Sequence, residues 1–256
     1  MTDLYVDFAA DYEWLFPDDV VGSAPTLGAT SPGSRALLDA AVSALSPGAA
    51  VLDCACGVGA DALALAQLGF TVTATDASAS MVARARQRLA GQAGQATVLQ
   101  AEWEQLPGKL TERYDLAICL GNAMVHAGSR KAEALRAIRS VLKPGARIVV
   151  DSRNWEFMYR SRPRVVPAAR VIRRQGIRCQ SLYIWTFPET FAQPCQAEIV
   201  LLFEDPAGEV SHRRYELAFQ PFRPADLRQA AQDAGFAWVE DSFEPDGGTY
   251  AIAGVA

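Results

Sequence analysis

The sequence predicts a doubly wound α/β fold: a mostly parallel, seven-stranded sheet with an antiparallel β insertion between its fifth strand and its last helix. Three observations carry that expectation. From Val51 to Asp151, β-forming apolar runs alternate with helix-periodic runs, the order of parallel strands joined by crossover helices. A glycine turn, Gly57-Val-Gly59, follows the first of these strands and leads into a helix opened by Asp61. From Trp155 to Phe219 the chain shows strand-length runs with no helix-length segment between them, which reads as consecutive antiparallel strands.

Size and composition bound the rest. A chain of 256 residues, half of them apolar, suits a single large domain with a substantial core, here residues 1–256 with an N-terminal segment at 1–34 and the insertion at 156–220. A formal net charge of -5 argues against nucleic-acid binding, which relies on an excess of Lys and Arg. No apolar run approaches the roughly 20 residues that cross a bilayer. The opening Met1-Thr-Asp-Leu-Tyr-Val-Asp lacks the basic-then-apolar order of a secretion signal, so a cytoplasmic protein without membrane partners is expected. The five cysteines include Cys54, Cys56 and Cys119 in apolar, strand-like surroundings, so structural disulfides are not expected. Cys54-x-Cys56 has the wrong spacing for zinc, and only His126 and His212 exist to complete a site, so no metal is expected.

Taken in order, the first residues interleave Tyr5, Phe8, Tyr12, Trp14 and Phe16 with polar residues, and Asp7 to Leu15 has the length of a short helix. This aromatic segment either folds over a site as a lid or packs on the outside of the domain. Leu37, Leu38, Ala41, Val42 and Leu45 recur at helical spacing before the stop Ser46-Pro47-Gly48. After the glycine turn come a helix from Ala62 to Leu68, a strand from Phe70 to Thr75 ending at Asp76, and a basic-faced helix from Ser80 to Leu89. Strands at Ala96 to Gln100, Tyr114 to Leu120 and Ala146 to Asp151 enclose a helix at Lys131 to Leu142. In the insertion, strands are expected at Val165-Val166, Val171-Ile172, Gln180 to Phe187, Glu198 to Phe203 and Val210 to Phe219. A helix from Pro224 to Ala234 and strands at Phe236 to Phe243 and Tyr250 to Val255 close the chain.

Gly57-x-Gly59-x-x-Ala62 fits a dinucleotide fingerprint, with Asp76 near the distance of a ribose-binding acid. Asp53 speaks against that ligand. A carboxylate at the strand tip would repel a pyrophosphate, whereas it suits a positively charged ligand. Asp53-Cys-Ala-Cys-Gly-Val-Gly, Asp76, Tyr114-Asp-Leu-Ala-Ile-Cys-Leu-Gly-Asn and Val141-Leu-Lys-Pro-Gly-Ala-Arg-Ile-Val-Val-Asp, in that order, resemble the motifs of class I methyltransferases. Within that class, Cys119-Leu-Gly-Asn-Ala-Met-Val-His126 and Val150-Asp-Ser-Arg-Asn-Trp155 look like the glycine N-methyltransferase group, including glycine/sarcosine methyltransferases. Ala101-Glu-Trp103 matches that group's adenine loop in part, and Phe8-Ala-Ala-Asp-Tyr-Glu-Trp14 is similar to its aromatic lid, with either Tyr12 or Trp14 as the contact.

The resemblance implies a Rossmann-like sheet and S-adenosylmethionine as cofactor, whose amino group and sulfonium are both cationic. Asp53 would accept from the amino group, and the backbone of Ala55, Cys56, Gly57 and Gly59 would pass the methionine and ribose. Asp76 would take both ribose hydroxyls. Met81 and Trp103 would flank the adenine and Glu102 would accept from its exocyclic amine, with Ala77, Leu120, Gly121 and His126 also against the cofactor. For Met81 a core role, and for His126 a structural one, stay open. Asn122 would orient the substrate, Arg153 would clamp a carboxylate or else form an ion pair within the fold, and Tyr12 would close on the substrate. Arg160 to Arg178 read as a solvated strand face or an anion guide, and Tyr183, Trp185 and Tyr215 as candidate pocket residues. A tyrosine that the glycine group carries near Phe219 is absent. The implied activity is N-methylation of a small amine, such as glycine or a derivative. O-methylation, a catalytically silent binding protein, NAD-dependent reduction and a homo-oligomeric state are kept open.

Overall fold

Strand residues point alternately to opposite faces, and in this chain that alternation separates two cores. The computed structural model describes residues 5–16, 32–92 and 94–256, so Pro17-Asp18-Asp19 and most of the polar run after it lie outside the described residues. Strands β1 (Ala50–Asp53), β2 (Thr71–Asp76), β3 (Ala96–Gln100), β4 (Tyr114–Cys119) and β5 (Leu142–Arg153) are parallel. Before and between them lie helices α1 (Pro32–Ser43), α2 (Ala60–Gln67), α3 (Ala79–Leu89), the single turn α4 (Leu106–Lys109) and α5 (Lys131–Ser140). Helix α6 (Trp155–Ser161) then leads to β6 (Val165–Pro167), β7 (Ile172–Arg174), β8 (Ile177–Thr186), β9 (Cys195–Glu204) and β10 (Val210–Phe219). Helix α7 (Pro224–Asp233) and strands β11 (Ala237–Asp241) and β12 (Thr249–Val255) finish the chain.

The seven-stranded sheet has the order β11-β12-β5-β4-β1-β2-β3, with β12 antiparallel to β5. On its strands Val51, Leu116, Ile118 and Val149 join the core with Leu38, Leu65 and Leu89 of the α1–α3 layer. Their neighbours Leu52, Ala117, Cys119, Ile148 and Val150 join the opposite core with Leu135, Ile138 and Leu227 of α5 and α7. The second sheet, β6 to β10, is antiparallel and adds Trp185, Ile199, Leu201 and Leu217 to that second core. One continuous apolar interior therefore fixes the insertion against the main sheet.

Three local expectations are corrected. Trp155–Ser161 is helical, because buried Asn154 caps it, with Oδ1 accepting from Phe157 N at 3.0 Å, so the antiparallel run begins only at Val165. β5 extends through Arg153, placing that residue at the strand's end and not beyond it. Of the expected Asp7–Leu15 helix only a 3-10 turn forms, at Tyr12–Leu15; the residues before it make successive turns.

The topology also fixes where a ligand can enter. From β1 the chain winds one way through β2 and β3, then crosses to the other side for β4 and β5, leaving a crevice at the carboxyl ends of β1 and β4. Gly59 shapes that end: its φ is +80°, and an added Cβ would lie 3.1 Å from Ala85 of α3. Gly48 has φ +76° but open space around it. Gly48→Ala is expected to cost about 1 kcal/mol, the left-handed strain alone, and Gly59→Ala distinctly more because α3 must also move. Urea midpoints measure both, and equal losses would contradict the packing role.

Candidate functional site

The carboxyl ends of β1 and β2 are tied together through the glycine turn. Gly57 N donates to Asp76 Oδ2 at 2.9 Å, Ser78 N donates to Asp76 Oδ1 at 2.9 Å, and Cys56 N donates to Thr75 O at 2.9 Å. Above this knot lies a cavity of about 400 Å³. Ala55, Cys56, Gly57, Asp76, Ala77, Met81, Glu102, Trp103, Leu120, Gly121, His126 and Tyr12 are among the residues that line it. Trp103 is held by its indole Nε1, which donates to Cys54 O at 2.7 Å. Met81 packs with Ala9 and Val58 and also lines the cavity.

Asp53 and Gly59 are not in the cavity wall. Gly59 caps α2 in a left-handed conformation and packs against α3. Asp53 lies one residue beneath the wall and is only 1% exposed; its Oδ1 accepts a long bond from Ala55 N at 3.4 Å and its Oδ2 has no partner among the described residues. Burial pushes its pKa well up, and the neighbouring charges of Asp61 and Asp76 add to that. A buried carboxylate in this condition is relieved by a proton or by a cation.

A second, smaller chamber of about 50 Å³ shares Tyr5, Tyr12, Gly121 and His126 with the first and adds Asn122, Arg153, Tyr183 and Phe219. Asn122 adopts φ +64°, its backbone N–H donating to Asp151 Oδ1 at 2.8 Å. Its side-chain Oδ1 accepts from Arg153 N at 3.0 Å and from Ser152 Oγ at 3.2 Å. Since a backbone N–H can only donate, the amide oxygen is fixed on the β5 side and Nδ2 is left as a donor. Asn122 therefore suits an acceptor atom, such as a carboxylate oxygen, and not an amine. The Arg153 guanidinium carbon stands 5.3 Å from the Tyr183 ring centre and 5.5 Å from that of Trp185, and among the described residues it makes no ion pair.

Of the insertion's candidate aromatics only Tyr183 lines the chamber. Trp185 is buried beneath it among Trp155 and Phe219, and Tyr215 bonds Asp11 and stacks on Phe8. Tyr12 faces both cavities, whereas Trp14 packs edge-on against Phe203. Several members of the arginine cluster serve the surface locally: Arg160 pairs with Asp246, Arg178 with Glu204, and Arg164 donates to Trp185 O. All five cysteines are free and buried, and no metal-holding group of side chains exists among the described residues. No described helix is long and apolar enough to cross a membrane.

Sequence reasoning passed over Tyr5, Asp151 and the bridging role of the N-terminal segment. Tyr5 Oη lies 2.9 Å from His126 Nε2, and burial lowers the His126 pKa to about 4, so this histidine is neutral near pH 7. Asp151, buried one strand over from the crevice, holds the Gly121–Asn122 turn; burial raises its pKa to about 7 against the pull of those backbone N–H groups. Its signal was present in the sequence, an acid near a strand's carboxyl end like Asp53 and Asp76. The N-terminal segment spans both sheets: Asp11 pairs with Arg213 of β10 at 2.5 Å, Glu13 with Arg88 of α3 at 2.5 Å, and Arg174 of β7 donates to Phe16 O at 3.0 Å.

Comparison with known proteins agrees with this geometry. Residues 51–145 match a family model described as a methyltransferase domain. The glycine/sarcosine N-methyltransferase of Aphanothece halophytica is 26% identical over 73% of this chain and 65% of its own length, so the chain matches slightly under two thirds of that relative. Streptomyces venezuelae DesVI superposes with a TM-score of 0.71 at 18% identity, over 99% of this chain and 97% of that one. CalS10 of Micromonospora echinaspora, an amino pentose methyltransferase, does so with a TM-score of 0.64 at 21% identity, over 87% and 90%.

The His126 environment has a measurable signature. Its folded pKa lies below the ordinary 6.5, so between about 6.5 and about 4 the unfolded chain binds the extra proton and His126 withdraws stability as pH falls. His126→Gln removes that dependence. The stability of the parent relative to the variant is expected to decline from neutral pH toward the acid end of this window in denaturant titrations; a constant difference would contradict the buried neutral imidazole.

Proposed function

For a chain that resembles the class I S-adenosylmethionine-dependent methyltransferases, and among them the glycine N-methyltransferase group, we propose methyl transfer from S-adenosylmethionine to the nitrogen of a small amine that carries a carboxylate. The residues present fit the cofactor. The unpartnered Asp53 Oδ2 beneath the glycine turn suits a cationic ligand, Asp76 lines the cavity at ribose position, and Trp103 and Met81 give apolar surface for a flat base. When bound, the cofactor supplies a methyl group already activated by its sulfonium.

The chain's own work is then alignment. Fixing two reactants in line is worth up to about 7–11 kcal/mol. Bare Gly121 lets the backbone approach the junction of the two cavities, Arg153 and Asn122 Nδ2 hold the carboxylate, and Tyr12 with Tyr5 excludes water from above. The N-terminal segment acts as lid of a single domain that includes the β insertion. No strong base is needed or offered: the neutral His126 is a weak one, and the amine binds unprotonated or releases its proton to solvent.

The observation that carries this reading is Arg153, a guanidinium stacked on Tyr183, without an ion-pair partner among the described residues, facing a chamber of about 50 Å³. N-methylation of an amino sugar is the second reading, favoured by the coverage of CalS10, 87% of this chain, which takes in much of the insertion. It requires the N-terminal segment to move away. A panel of glycine, sarcosine, amino sugars and phenols with labelled S-adenosylmethionine separates the readings. Arg153→Met is expected to raise the KM of the carboxylated amine roughly ten- to a hundredfold while leaving cofactor Kd nearly unchanged. Equal effects on both, or acceptance of amino sugars alone, would contradict the clamp.

A further inference from the structure

The tips of β4 and β5 are joined by reciprocal hydrogen bonds, and Asp151 stands at their centre. Gly121 and Asn122 adopt φ +73° and +64°, two left-handed residues in succession. Successive backbone N–H groups in such a turn form a cradle for an anion. The anion here belongs to the chain itself. The Asp151 carboxylate, 3% exposed, accepts from Asn122 N at 2.8 Å, and the Gly121 N–H bonds it as well. In return, Asn122 Oδ1 accepts from Arg153 N at 3.0 Å and from Ser152 Oγ at 3.2 Å.

These bonds require an ionised acid. A carboxylate offers two acceptor oxygens and no donor, whereas a protonated carboxyl turns one oxygen into an O–H donor that meets the N–H groups with the wrong polarity. Asn122 tolerates a left-handed backbone without favouring it, so the turn depends on its anchor. Without the anchor, Asn122 Oδ1 no longer stands fixed against Ser152 and Arg153. Asn122 and Arg153 both line the smaller chamber, whereas Asp151 lines neither cavity and reaches the chamber only through them.

The proton balance of Asp151 makes the anchor adjustable. Burial raises its pKa to about 7; the Asn122 and Gly121 N–H groups pull against that rise, the charge of Asp61 on α2 adds to it and that of Arg153 opposes it. Other charged groups on the elements packed against β5 are engaged elsewhere: Arg35 with Asp39 on α1, Asp115 of β4 with Lys143, and Arg130 of the 3-10 segment Ala123–Arg130 with Glu104. His126 on that segment is neutral near pH 7, and burial keeps the phenol of Tyr250, on β12 opposite Ser152, neutral too.

We infer that Asp151 is a positioning residue for the smaller chamber: ionised, it anchors the Gly121–Asn122 turn and so sets Asn122 and Arg153 for the acceptor's carboxylate; protonated, it releases them. The inference rests on the reading of this chamber as the acceptor site. It gives methyl transfer a pH response of its own, in which acceptor binding is strongest above the titration of Asp151 and weakens as pH falls through it.

Two readouts test this. In amide NMR spectra between about pH 8 and about pH 6, the Gly121, Asn122 and Arg153 N–H resonances are expected to shift together with a midpoint of about 7, and Asp151→Asn is expected to abolish the shift. Resonances that stay still, that move equally in Asp151→Asn, or an Arg153 N–H that does not follow the other two, overturn the inference. The second readout is methyl transfer to glycine beside calorimetric binding of S-adenosylhomocysteine. At about pH 8, Asp151→Asn is expected to raise the glycine KM about tenfold and to leave the S-adenosylhomocysteine Kd within about twofold, which also reports that the variant is folded. The wild-type advantage in kcat/KM is expected to shrink toward about pH 6; the ratio of the two proteins at each pH cancels the ionisation of the amine itself. A ratio independent of pH, or a cofactor Kd weakened as much as the glycine KM, makes Asp151 purely structural and overturns the inference. If the wild-type chain binds S-adenosylhomocysteine but does not methylate glycine or sarcosine, the acceptor reading fails, while the amide titration still decides for or against the role of Asp151.

Discussion

The buried carboxylate of Asp53 is the constraint around which this site is built. It is 1% exposed, has one oxygen without a partner among the described residues, and is held at a raised pKa by burial and by the charges of Asp61 and Asp76. Its described neighbours do little to relieve it: among the described residues Ala55 N is its one hydrogen-bond donor and stands 3.4 Å away. Removing the charge would be simple, but an acid at this strand tip excludes phosphate-bearing ligands and rewards cationic ones. The preference for a cationic ligand that the proposed function calls for would thus come from the core layer, below the cavity surface.

The second constraint is closure. The crevice of a doubly wound sheet is open to solvent by construction, and methyl transfer benefits from excluding water. Here the cover comes from two elements that the main sheet lacks. The antiparallel sheet brings Tyr183 and Ile199 to one side through the shared apolar core, and residues 5–16 pass across the top, pinned by Asp11 to Arg213 and by Glu13 to Arg88. Arg213 is largely exposed, so the Asp11 pair is open to screening by salt, whereas the Arg88 end is buried. On the insertion side the segment is also held by Tyr215 on Asp11, Phe8 stacked on Tyr215, Trp14 against Phe203 and Arg174 on Phe16 O.

Much of the main sheet was legible because local signals there agree with the tertiary result. Ala96–Gln100 and Val210–Phe219 coincide with their expected bounds, and Gly59, Gly69 and Gly235 mark the ends of helices at left-handed positions. Helix α6 was missed because Trp155 and Met158 are buried by the second sheet, so its apolar residues read as part of a β run. Asp53 and Gly59 lie outside the cavity wall, a placement that motif spacing does not carry. Likewise, alternation could not say that Trp185 points into the core while Tyr183 faces the chamber, since the twist of β8 and its neighbours decides which residues are covered. Asn122 illustrates a third limit: its place at the strand end was readable, but which atom of its amide is left for a substrate depends on Ser152 and Arg153 across the strand.

The most direct test concerns Asp53 and its cation. Because burial raises the Asp53 pKa and a cation above the glycine turn opposes that rise, binding within the pH range where Asp53 titrates should release protons. Titration of the chain with S-adenosylmethionine in buffers of differing ionisation enthalpy reads both affinity and proton release. The account predicts one-site binding accompanied by proton release that disappears in Asp53→Asn. No binding, or proton exchange that is unchanged in Asp53→Asn, would contradict it.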